Sequence, residues 1–143
     1  MDATLKNALA QPAPLLFGAI KIELPDYTLR LLDGSAVLQI GGEIYSGRDD
    51  YFGTLGGMSD LSEEIGDDSP EVTITLMPPD VSATAVLSHP NMQGSVATIM
   101  VGAVDAATGA VIGTPEILFL GEIDVPTIGV DESGARTVEF TIV

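Results

Sequence analysis

The segment EVTITLM at 71–77 alternates strictly, with Val72, Ile74 and Leu76 on one side and Glu71, Thr73 and Thr75 on the other. A two-residue period is the mark of a β-strand with one wet face. The same pattern runs through GAIKIEL at 18–24, where Ile20, Ile22 and Leu24 turn inward and Lys21 and Glu23 outward. It returns in RTVEFTIV at 136–143, with Val138, Phe140 and Ile142 inward. Such strands need a core on one side and water on the other, which antiparallel sheets provide. Two further runs, VATIMVGAV at 96–104 and ILFLGEIDV at 117–125, are apolar in part on both faces. They are expected to be the central, deepest strands, with Gly121 marking a bulge or bend.

Turn residues divide the remainder. TLRLL, Asp33-Gly34, SAVLQI, Gly41-Gly42 and EIYS read as two consecutive tight hairpins, giving a three-strand meander. DAATGA around Gly109 and VDESGA around Gly134 suggest two more hairpins. Helix is scarce: residues 2–10 allow about two turns before Pro12, and Asp80 is placed to cap VSATAVLS, which Pro90 stops. The expected fold is all-β and mainly antiparallel, a small partly closed β-barrel of seven or eight strands with one or two short helices. Residues 1–15 form an N-terminal arm or short helix, and 16–143 a single domain.

Charge narrows the function. The 143 residues carry 21 acidic and five basic side chains, a net −16, and no Cys or Trp. The five cations, Lys6, Lys21, Arg30, Arg48 and Arg136, are scattered. Such a chain repels phosphate backbones within a Debye length of about 10 Å, so specific nucleic-acid binding is not expected. With 45% hydrophobic and 18% charged residues it is nonetheless a packing chain, not a disordered one. The stretch 81–104 is long enough to span a bilayer, but His89, Pro90, Asn91 and Gln93 argue against a transmembrane helix. MDATLKNALAQPAP lacks the apolar run of a secretory signal.

No catalytic set emerges. His89, the one histidine, has no nucleophile or acid in a recognisable motif around it, and one His without Cys is too few ligands for catalytic zinc. FGTLGGMSD is glycine-rich but lacks the Lys-Ser or Lys-Thr of a phosphate-binding loop. The acidic stretch 58–71, with Asp60, Glu63, Glu64, Asp67 and Asp68, offers oxygen ligands for calcium without the spacing of an EF-hand. Tyr45, Arg48, Tyr51 and Phe52 cluster around YSGRDDYF and form a candidate partner-contact patch. A calcium- or carbohydrate-binding β-module using these two segments is the alternative function; no enzyme, cofactor or metal is assigned.

The order of several motifs resembles the N-terminal domain of tail-hub proteins of long-tailed phages and gene-transfer particles. These are the strand ending in Asp33-Gly34 followed by Gly42 to Tyr45, and VTITL followed by a helix opened by Asp80. Gln93-Gly94 then enters a strand ending at the Asp105 to Gly109 hairpin, and Pro115 to Asp124 reads P-x-I-L-F-x-G-x-I-D. The resemblance covers residues 16–143; Glu122 stands where many relatives carry Arg. It implies a non-enzymatic tail structural protein, trimeric, joining tube to tip or baseplate around a DNA passage. Its partners would be itself and other tail proteins, assembled in the bacterial cytoplasm into a virion tail or prophage-encoded particle, without membrane insertion. Such proteins commonly continue past this domain, whereas this sequence stops at Val143 in an apolar run, reading as a cut chain or a minimal version. An apolar strand ending there is expected to seek an edge partner.

Overall fold

In a computed structural model, the structure describes residues 3–9, 15–25, 27–33, 37–58, 72–105, 107–130, 134 and 136–143. Among these residues ten strands and two short α-helices follow in the order α1 (Ala3–Leu9), β1 (Leu15–Leu24), β2 (Tyr27–Leu32), β3 (Val37–Ile40), β4 (Glu43–Ser46), β5 (Arg48–Asp49), β6 (Gly53–Met58), β7 (Val72–Met77), α2 (Val81–Leu87), a 3₁₀ turn (Pro90–Met92), β8 (Val96–Val104), β9 (Val111–Val130) and β10 (Arg136–Ile142). The fold is all-β, with 65% of residues in strands. All ten strands belong to one sheet, ordered β3-β4-β2-β1-β8-β9-β10-β7-β6-β5. Every pairing is antiparallel except a single parallel bridge, Leu31 to Ser46, between β2 and β4.

Period two does the work anticipated for it. Ile20, Ile22, Val72, Ile74, Leu76, Val138, Phe140 and Ile142 are fully buried in one core, joined by Leu29, Leu31 and Ile99. At roughly 1.5–3 kcal/mol for each large apolar side chain removed from water, this cluster is the main source of stability. The helix α2 closes one end of it through Ala83 and Leu87. Asp80 opens that helix as expected, its Oδ1 accepting the Ala83 N–H at 2.8 Å. The opposite face of β1 carries Phe17 and Ala19, which form a second core with Leu32, Met100, Leu38 and Tyr45. The β3–β4 hairpin therefore lies over the outer face of β1, β2 and β8. Gly41 and Gly42, at φ 58° and 83°, make its turn in a conformation few other residues adopt. The hairpins at Gly109 and Gly134 also form, joining β8 to β9 and β9 to β10.

Four expectations are corrected. The three-strand meander does not form, because β4 rather than β3 lies beside β2. Asp33 is still held to β1, donating its N–H to the Gly18 carbonyl at 3.0 Å and accepting the Gly18 N–H on Oδ1 at 2.9 Å. Second, ILFLGEIDV is not the deepest strand: Phe119 and Ile123 face the core, but Ile117 and Leu120 are 56% and 63% exposed. The β3–β4 hairpin reaches only the start of β9, where Val111 packs against the second core, so the outer side of β9 around Ile117 and Leu120 stays open. Third, Gly121 pairs regularly with Ala97, and the irregularities fall elsewhere on β9. Glycine is required at 121 by close approach, since a Cβ there would lie 2.5 Å from the Val143 carbonyl oxygen. Fourth, the strand ending at Val143 is no edge. β10 lies between β9 and β7, and Val143 exchanges two main-chain hydrogen bonds with Glu122, at 2.9 and 3.0 Å.

Candidate interaction surface

The sheet curls until its last strands meet its early ones, but backbone hydrogen bonds do not close it. Side chains span the seam between β2 and β5. Tyr27, the first residue of β2, donates its hydroxyl to Oδ2 of Asp49 on β5. The other carboxylate oxygen of Asp49 accepts the N–H groups of Tyr51 and Phe52, both at 2.9 Å. One acidic side chain thus fixes the turn after β5 and ties it to β2. The hydrogen bond to Asp49, helped by burial and by the negative charges of Asp49 and Asp50, pushes the Tyr27 phenol up to about 12. The rings follow the same geometry: Phe52 lies 5.5 Å from Tyr27 and 4.6 Å, edge-on, from Tyr51.

Beside this clasp a cavity of about 230 Å³ opens at the end of the seam, walled by Leu24, Pro25, Phe52, Val86 and Met92, with Tyr27, His89 and Asn91 at its polar rim. His89 caps the 3₁₀ turn, its Nδ1 accepting the Asn91 N–H at 3.1 Å. In the neutral ring the proton is then on Nε2, leaving that N–H as a donor. Among the described residues neither nucleophile nor carboxylate is hydrogen-bonded to His89, whose described role is a turn cap.

The residues expected to make a contact patch separate into three environments. Tyr45 is buried under the β3–β4 hairpin, where desolvation raises its phenol and the Arg30 guanidinium partly offsets that. Arg30 in turn lies 3.4 Å from Glu43. Phe52 is buried in the main core, while Arg48 and Tyr51 remain exposed at the seam. Sequence reasoning reached Asp49 only as part of the YSGRDDYF segment and missed Tyr27 and the bond between the two. Their 22-residue separation and placement on strands in opposite halves of the sheet, with five strands between β2 and β5 other than β1, left no local signal.

The calcium candidates Asp60, Glu63, Glu64, Asp67 and Asp68 lie outside the described residues. Among the described residues no group of three or more His, Asp or Glu converges on a metal position. No helix among them is long and apolar enough to cross a membrane.

The geometry therefore defines an all-β assembly of one curled sheet with a side-chain-clasped seam and an exposed apolar strand. Protein-family models and curated proteins give no match to the chain. Eight chains of solved structures do. One belongs to the "Virion of native gene transfer agent (GTA) particle", with a TM-score of 0.60 and 18% identity, covering 99% of this chain and 44% of that one. The two share a fold along nearly the whole of this chain, which spans less than half the length of the virion chain.

Proposed function

We propose that this chain is a structural component of a phage or gene-transfer-agent-like particle, acting in the tail hub between tube and tip through contacts with itself and neighbouring particle proteins. The observation that carries the reading is the fold similarity to a virion chain over 99% of the present sequence. It agrees with the tail-hub motif order, which comes from the residues and not from the fold. The acidity fits as well. A surface of net −16 beside a DNA passage releases no counterions on contact, so DNA slides past without adhering. Large exposed side chains such as Leu15, Leu16 and Leu120 are what a subunit buried in an assembly presents when drawn alone.

The test is localisation. Particles purified from the producing cells by density gradient are probed with an antibody to the chain, by immunoblot and by gold labelling. The reading expects co-purification with intact particles and label at the tail. Absence from particles that carry a full complement of tail proteins would overturn it.

A further inference from the structure

β9 runs for 20 residues, and its two edges are used unevenly. β8 pairs with it from Val111 to Glu122, and β10 only from Ile123 to Val130. Ile123 turns its main-chain N–H and C=O to β8, bonding Ser95 and Gly94, whereas Glu122 turns its own to Val143. Main-chain groups point to alternate edges along an antiparallel strand. Leu120, paired regularly with Thr98, therefore presents its N–H and C=O on the β10 side, where no described strand lies. Ile117 and Leu120 are 56% and 63% exposed on this stretch even though α1 packs against β8 and β9. Residues 116–125 also contain neither the Lys nor the Pro that commonly blunts an open edge.

We infer that β9, between Glu116 and Glu122, takes up an extended segment of a different particle protein, apolar in its middle and basic at its ends, as an added strand. The segment runs antiparallel to β9, in line with β10, and one of its residues exchanges both main-chain hydrogen bonds with Leu120. Its outward side chain there lies beside Leu120, which calls for an apolar, β-branched residue. Charge chooses the rest. β9 carries three acids, Glu116, Glu122 and Asp124, and no Lys or Arg. Glu122 and Asp124 are exposed at one end of the stretch, and Glu116 stands at the other. Glu23 adds a further acid in the cross-strand row that passes through Val96 to Glu122. Against these stand Lys21, two strands away beyond β8 in the row of Leu120, and Lys6 on α1. A strand with Lys or Arg at its ends is attracted to such an edge, and an acidic one is repelled. A second copy of this chain, at net −16, is disfavoured by the same charges. The partner's place in the particle rests on the hub reading, whereas the edge itself stands on the ladder.

The probe is a blocked heptapeptide, Lys-Thr-Val-Thr-Val-Thr-Lys, titrated into the isotope-labelled chain at physiological salt and followed by nuclear magnetic resonance. Shift changes are expected along 116–122, with exchange of the Leu120 amide slowed by at least about tenfold. The same peptide N-methylated on the edge that faces β9 keeps its charge but cannot pair, and should bind at least about tenfold more weakly. Replacing both lysines by glutamate should weaken binding as well. Leu120→Pro removes the N–H at the open edge and should abolish binding, while Leu120→Ala keeps it and should retain binding. If Leu120→Pro fails to fold, the methylated peptide carries the comparison. Equal binding by the paired and methylated peptides overturns the edge, as do shifts that map away from 116–122 or an unchanged Leu120 exchange rate. In purified particles, Leu120→benzoylphenylalanine is expected to photo-cross-link to an extended segment of a different protein. A cross-link to a second copy, or within the same chain, overturns the occupant. Particles that lack the chain sink the hub reading and leave the peptide result standing. Failure of the peptide with the chain present in particles sinks the edge alone.

Discussion

Asp49→Ala removes one small side chain and three hydrogen bonds, and it should loosen the seam measurably. The carboxylate accepts the Tyr51 and Phe52 N–H groups at 2.9 Å, an arrangement equivalent to a helix N-cap, for which the loss costs about 1 kcal/mol. It also accepts the Tyr27 hydroxyl; a charge-assisted bond of this kind contributes about 1.5–3 kcal/mol when buried. Tyr27 is 48% exposed, so solvent screening reduces that contribution to about 1 kcal/mol. The total is on the order of 2–3 kcal/mol. With a urea m-value of about 1.5–2 kcal/mol/M, the unfolding midpoint should fall by roughly 1–2 M. Asp49→Asn keeps an oxygen for the two N–H groups and should lose about half as much. The assay is urea unfolding followed by far-ultraviolet circular dichroism, with Tyr27→Phe and the double variant completing a cycle. A midpoint for Asp49→Ala within a few tenths of a molar of the parent would refute the clasp, as would strict additivity between positions 27 and 49.

The same pair gives a pH dependence. The Tyr27 phenol is raised from 10.0 to about 12, so the folded state holds its proton more tightly than the unfolded chain. That stabilisation, on the order of 1 kcal/mol after screening, is fully present below pH 10 and is lost as pH rises through about 12. Tyr27→Phe should flatten the alkaline limb of a melting-temperature profile. Gly53→Ala should be severe: φ is +86° and the new Cβ would meet the Met77 carbonyl oxygen at 2.0 Å, a backbone atom that cannot step aside. A loss of more than about 3 kcal/mol by urea unfolding is expected. Asp80→Ala removes the cap of α2 and should cost about 1 kcal/mol, with faster amide exchange confined to the first turn of that helix.

What the sequence made legible was what local chemistry encodes. Alternation placed Val72, Ile74, Leu76, Val138, Phe140 and Ile142 in the core; Asp80 and the turn glycines announced a helix start and three hairpins. The errors arose where the answer depended on a distant partner. Ile117 and Leu120 look like buried residues, and whether they are depends on how far a hairpin from 37–46 reaches across the sheet. Asp33-Gly34 has ideal turn chemistry, yet the Gly18 main chain, fifteen positions earlier, holds Asp33 in the ladder. The seam was illegible for the same reason. No period or motif relates Tyr27 to Asp49, and their meeting follows from the curl of the whole sheet.

The pairing of β1 with β8 sets a schedule as well as a shape. Ile20 faces Ile99 across that ladder, so β1 precedes its partner by about 80 residues, a separation that slows folding. At about 5–20 residues per second, β1 and β2 leave the ribosome roughly 4–16 s before β8 is made. During that interval Ile20, Ile22, Leu29 and Leu31 lack β8, and until residue 77 is made they lack β7 as well, since each belongs to a core that includes later strands. The β8–β9–β10 hairpins, by contrast, are local and close soon after synthesis. The last third of the chain is thus the template on which the first third is organised. A nascent chain halted before residue 96 exposes an apolar hairpin with nothing to pair with, and holding that hairpin apart from its neighbours on the polysome becomes a task for chaperones.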